Sequence, residues 1–95
     1  MPEIQISNEI KSAAKVLKDL GAKEVYLFGS AASGRLRSKT SDIDLAVSGL
    51  SPRYFIRALS KAHDVVSRKL DLVDLDDDNA FTRYLKSEGI MVRVE

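Results

Sequence analysis

Two short runs in this 95-residue chain carry side chains that could do chemistry together. Leu27-Phe28-Gly29-Ser30 ends an apolar run on a glycine and a hydroxyl, and after eleven residues Asp42-Ile43-Asp44-Leu45 opens another on two carboxylates. In a strand, residues two apart face the same side, so Asp42 and Asp44 project together with Cα atoms roughly 7 Å apart. Their oxygens suit a hard cation. Mg²⁺ takes octahedral oxygen ligands and commonly uses one or two carboxylates, with phosphate oxygens and water completing the shell. Gly29 removes a side chain where a phosphate would approach the backbone. Ser30 adds a hydroxyl and an N–H at the expected start of a short helix, where unpaired amides attract anions. Together the runs read as a phosphate cradle beside a metal site.

A third carboxylate would complete a two-ion centre, in which one ion activates the attacking oxygen and the other steadies a triphosphate and its leaving group. Residues 70–75 offer Asp71 and Asp74, which are three apart and so face opposite sides of a regular strand. Asp71 is favoured, because Leu70 and Leu72 would then fill the core as Ile43 and Leu45 do. An Asp71→Asn chain with full activity would transfer the role to Asp74.

The elements that must position these groups follow from periodicity and punctuation. From Ser7 or Asn8 as N-cap, Ile10, Ala13, Ala14, Leu17 and Leu20 recur at helical spacing up to Gly21. Residues 23–28 hold the β-favouring run Val25-Tyr26-Leu27-Phe28. A basic stretch with Arg35, Arg37 and Lys39 leads into a second strand at residues 42–47, where Ile43, Leu45 and Val47 alternate toward a core. On the carboxylate side, Ala46 and Ser48 are small and should leave space. Ser51 and Pro52 announce a helix through Phe55, Ile56, Leu59, Ala62, His63 and Val66, with His63 expected to be half-buried beside Leu59 and Val66. A third strand over 70–75, a last helix carrying Phe81, Tyr84 and Leu85 after the Asp76-Asp77-Asp78 run, and a fourth strand over 90–94 complete the order. The chain is expected to be one α/β or α+β domain over 1–95, with helices packed on a mixed four-stranded sheet.

Composition narrows the function further. Fifteen Lys plus Arg against fourteen Asp plus Glu give a net charge of +1, which argues against direct nucleic-acid binding or a membrane-coating surface. The absence of Cys excludes a disulfide framework, a thiolate metal site and a Cys nucleophile. No run approaches the roughly 18 apolar residues of a membrane span, and Met1-Pro2-Glu3 does not begin a signal peptide, so a cytoplasmic protein is expected.

The Gly-Ser pair, Ser41-Asp42-Ile43-Asp44-Leu45 and Leu70-Asp71-Leu72-Val73 resemble the signature of the DNA polymerase beta-like nucleotidyltransferases, and most of all the minimal nucleotidyltransferase branch. The resemblance implies transfer of a nucleoside monophosphate, AMP from ATP, to an acceptor hydroxyl with loss of pyrophosphate. It implies phosphate binding by Gly29 and Ser30 and two Mg²⁺ ions held by Asp42 and Asp44. Asp71 would ligate one ion and help deprotonate the acceptor. Many relatives read Gly-Ser-Arg-Ala-Arg-Gly where this chain has Ala31 and Ser33, so Arg35, Arg37 or Lys39 would have to replace that charge. The resemblance also implies a helical HEPN-type partner, a toxin neutralised by adenylylation of a tyrosine or by binding alone. The acceptor is accordingly expected on another molecule. The competing reading is an inactive antitoxin or adaptor that works by contact.

Overall fold

Ile10, Ala13, Ala14 and Leu17 fall on one face of helix α1, Asn8–Asp19, and all four are fully buried. A helix of this length is marginal alone, so burial of that stripe, more than propensity, holds it in place. The structure, a computed structural model, describes residues 8–29, 42–89 and 91–95. Strand β1, Glu24–Phe28, is followed by β2, Ile43–Ser48, helix α2, Pro52–Asp64, strand β3, Leu70–Asp74, helix α3, Ala80–Ser87, and strand β4, Val92–Arg93. The sheet order is β3-β2-β1-β4. β1 runs antiparallel to β2 and to β4, whereas β2 and β3 are parallel neighbours joined by α2. This is the expected mixed four-stranded sheet with helices against it.

Alternation along the strands divides the sheet into two faces. Val25, Leu27, Ile43, Leu45, Val47 and Leu70 are buried in one cluster with the α1 stripe and with Ala58 and Ala62 of α2. Phe28, Ala46, Leu75 and Leu85 form a second, smaller cluster on the opposite face, with Tyr26, Val73 and Met91 packed against it. Leu45 is completely buried at the centre of the larger cluster. Truncating it to Ala would cost about 2–5 kcal/mol, a large part of the stability of a domain this small.

Three expectations need correction. Ala46 does not leave space on the carboxylate face, because α3 folds over it and Leu85 and Phe28 bury it completely. Ile56 and His63 lie outside the packed stripe of α2: Ile56 is 72% exposed and His63 is exposed, since Ala58 and Ala62 make the close approach. The start of α3 is set by Asn79, whose side chain accepts from the Thr82 N–H at 2.9 Å while the Thr82 hydroxyl accepts from the Asn79 N–H. The acidic run before it is used differently. Asp76 accepts the Gly49 N–H at 2.8 Å, Asp74 accepts the Asp76 N–H, and Asp78 pairs with Arg83. Ser30, the short helix expected after it and the basic stretch through Lys39 lie outside the described residues.

Candidate active site

Parallel pairing of β2 with β3 places Ile43 against Leu70 and Asp44 against Asp71. Paired residues share a face, so the two carboxylates stand side by side on the side of the sheet opposite α1 and α2. On the other flank of β2, antiparallel pairing sets Phe28 against Asp44, and Gly29 follows immediately. Gly29, Asp44 and Asp71 thus meet at one rim of the sheet. Asp42 is exposed one residue before β2 and close enough to act electrostatically on Asp44. Asp74 pairs with Val47 and faces the other way, so the register brings Asp71, and not Asp74, to Asp44.

Asp44 is half-buried, and its carboxyl is held above the usual carboxylate range. Desolvation is the main cause, followed by the charges of Asp71 and Asp42 and a side-chain hydrogen bond with Asp71, against a weaker pull from Lys69. Such a pair of acids is costly unless a proton or a cation lies between them. Gly29 adopts φ +75°, in the left-handed region, and a Cβ there would be driven into the Asp44 Oδ2. The turn therefore leaves open backbone directly beside a carboxylate oxygen.

Among the described residues, no three Asp, Glu, His or Cys side chains already converge on a cation-sized point. The donor set nevertheless fits divalent cations of the Mg²⁺ type. All the donors are carboxylate oxygens, two of them share a face, and a cation would offset both the desolvation and the neighbouring charges that raise Asp44. Sequence reasoning missed one neighbour of this rim. Phe81, in the first turn of α3, meets Phe28 edge-on with ring centroids 6.0 Å apart, and half of its surface is exposed. Its signal was present: an aromatic one position inside a capped helix start, where polar residues are usual.

Fold and rim together define a small α+β domain of nucleotidyltransferase type. The family described as "Polymerase beta, Nucleotidyltransferase" matches residues 7–93, and the chain belongs to it. No curated protein matches the chain. Among solved structures, it is similar to a toxin–antitoxin crystallised with AMP-PNP, at 28% identity and TM-score 0.67, covering 90% of this chain and 72% of that one. It is similar to an MntA-HpeT toxin–antitoxin in which two aspartates two positions apart are changed to glutamate, at 26% identity and TM-score 0.66, covering 90% and 72%. A further MntA-HpeT structure, with a tyrosine changed to alanine, shares the fold at 23% identity and TM-score 0.68, covering 96% and 73%. Among the described residues, no helix is long and apolar enough to cross a membrane.

Proposed function

We propose that this nucleotidyltransferase moves AMP from ATP to a hydroxyl on a helical HEPN-type partner protein, as the antitoxin of a toxin–antitoxin pair. The observation that carries the reading is the register pairing of Asp44 with Asp71 beside the open Gly29 turn. The similar structures add weight, since one was crystallised with AMP-PNP and another carries its substitutions on an aspartate pair spaced like Asp42 and Asp44.

Two Mg²⁺ ions, held by Asp42, Asp44 and Asp71, would neutralise the triphosphate and the departing pyrophosphate. The chain's own residues do the rest. Gly29 admits the phosphates to the backbone, and Ser30 donates to them. Asp71 takes the proton of the acceptor hydroxyl as the new oxygen–phosphorus bond forms and the bond to pyrophosphate breaks. Incubation with labelled ATP, Mg²⁺ and the product of the adjacent gene should label that protein on a hydroxyl side chain. Failure to label, with the neighbour still inhibited, would replace this reading.

Ala31 and Ser33, where relatives have arginines, favour a second reading in which the chain inhibits by contact alone. An Asp42→Asn/Asp44→Asn chain that still protects cells from the partner would support it.

A further inference from the structure

The carboxylate rim can hold phosphates through cations, but among the described residues its own side chains, Asp42, Asp44 and Asp71, offer no surface for an uncharged ring. One lies next to it. Between the first turns of α2 and α3, at the outer edge of β3, is a cavity of about 550 Å³, lined by Ile56, Leu72, Val73 and Phe81 together with Asp74 and Asp77. That volume is within the range of small-molecule sites, about 300–1,000 Å³.

Among the described residues, no Lys or Arg lines the cavity, so its field repels phosphate and favours a neutral group that carries N–H donors. Asp74 already accepts the Asp76 N–H, whereas the Asp77 carboxylate accepts no hydrogen bond among the described residues. Phe81 joins the cavity to the rim. It forms part of the cavity wall and also packs edge-on against Phe28, which is opposite Asp44 in the sheet and adjacent to Gly29. Val73, also in the wall, is two residues beyond Asp71 on β3 and so shares its face.

We propose that this cavity receives the purine base of a nucleoside triphosphate whose phosphates lie at the Gly29–Asp44–Asp71 rim, with Phe81 as stacking platform and Asp77 as acceptor for the exocyclic amine. The inference rests on the nucleotidyl-transfer reading above. A half-exposed phenyl ring can stack on any base, and purines offer it the larger face. The carboxylate then distinguishes among purines, since it accepts the adenine amine and repels a carbonyl at the same position.

The test is calorimetric titration of the whole chain in Mg²⁺ with ATP, inosine triphosphate and inorganic tripolyphosphate. Phe81→Ala should weaken ATP binding about tenfold and leave tripolyphosphate binding unchanged. Phe81→Trp should retain ATP binding, and because the chain has no tryptophan of its own, quenching of this residue by ATP but not by tripolyphosphate reports the stack directly. Inosine triphosphate should bind the parent chain more weakly than ATP, a difference that Asp77→Asn should reduce. If Phe81→Ala binds ATP like the parent, or ATP leaves the Phe81→Trp fluorescence unchanged, the base pocket is overturned while the transfer reading stands. If Phe81→Ala keeps ATP binding but lowers transfer to a protein acceptor, the ring serves the acceptor and the proposal is likewise overturned. If the parent chain binds neither ATP nor tripolyphosphate, both readings fall.

Discussion

Glu9 and Asp44 are both acids near the start of a regular element, yet the fold drives them in opposite directions. Glu9, in the first turn of α1, accepts the backbone N–H of Ser67 at 2.8 Å and its hydroxyl at 2.5 Å, and lies 3.5 Å from the Arg68 guanidinium. Its carboxyl is held below the usual range, first by the Ser67 side chain, then by the Ser67 backbone. The link ties α1 to the segment between α2 and β3. Asp44 is placed beside Asp71 and near Asp42 in a partly desolvated site, and is raised. The first acid stabilises the fold by being ionised. The second is destabilised by ionisation unless something else binds, and a group held in that way marks a functional site more than a structural one.

The comparison can be broken first at the rim. If the rim is the chemical centre, Asp44→Asn and Asp71→Asn should each lower nucleotidyl transfer by at least about a hundredfold with the fold retained, as circular dichroism would show. Glu9→Gln should leave transfer near the parent value. Comparable losses in all three variants would dissolve the distinction.

Gly29→Ala should come next, combining a backbone and a steric effect. The left-handed φ costs a residue with a Cβ about 1–2 kcal/mol, and the Cβ must also displace the Asp44 carboxylate. Chemical denaturation should register the stability loss, and assays should show transfer falling further than stability alone explains.

The stability consequence at Asp44 has the opposite sign from ordinary damage. Because its folded pKa is raised, the native state holds the proton more tightly than the unfolded chain. Stability therefore falls as pH rises from the ordinary carboxylate range through the raised value. At neutral pH, Asp44→Asn should raise the melting temperature, which thermal unfolding followed by circular dichroism would register. Mg²⁺ should raise the melting temperature of the parent chain at neutral pH but not in acid below the carboxylate range, where Asp44 holds its proton. A pH-independent effect of Mg²⁺ would place the ion elsewhere.

The smallest effect belongs to Glu9. Its folded pKa is lowered, so its contribution is present above the ordinary Glu value and fades as pH falls through the depressed one. Glu9→Gln should lower the melting temperature slightly at neutral pH, with the difference vanishing in acid.

Much of this molecule was legible because its signals are local. The α1 stripe, the alternation of Ile43, Leu45 and Val47, Pro52 at the head of α2 and the glycine after β1 each constrain the backbone within a few residues. The errors over Ala46, Ile56 and His63 share a cause. Ala46 reads as small and therefore open, Ile56 as apolar and therefore buried, and His63 as half-buried. Each depends on which partner element lies over it, and α3 and α2 take positions that spacing along the chain does not encode. Phe81 was readable as an apolar helix position, but not as a ring beside the carboxylate rim, because its contact with Phe28 spans more than fifty residues of chain.

The sequence by itself determined the chemistry on offer: oxygen donors at Asp42 and Asp44, a third acid at either Asp71 or Asp74, and a turn without a side chain at Gly29. Period-two alternation and left-handed backbone preferences are properties of a few adjacent residues, so they can be read without a fold. Only the tertiary structure decided that Asp71 stands beside Asp44 while Asp74 turns away, that Gly29 adjoins the same pair, and that an acid-lined apolar cavity opens next to them. Those facts depend on the register between β2 and β3 and on how α2 and α3 close over the sheet. Register is set by the burial of whole faces at once, which no single motif carries.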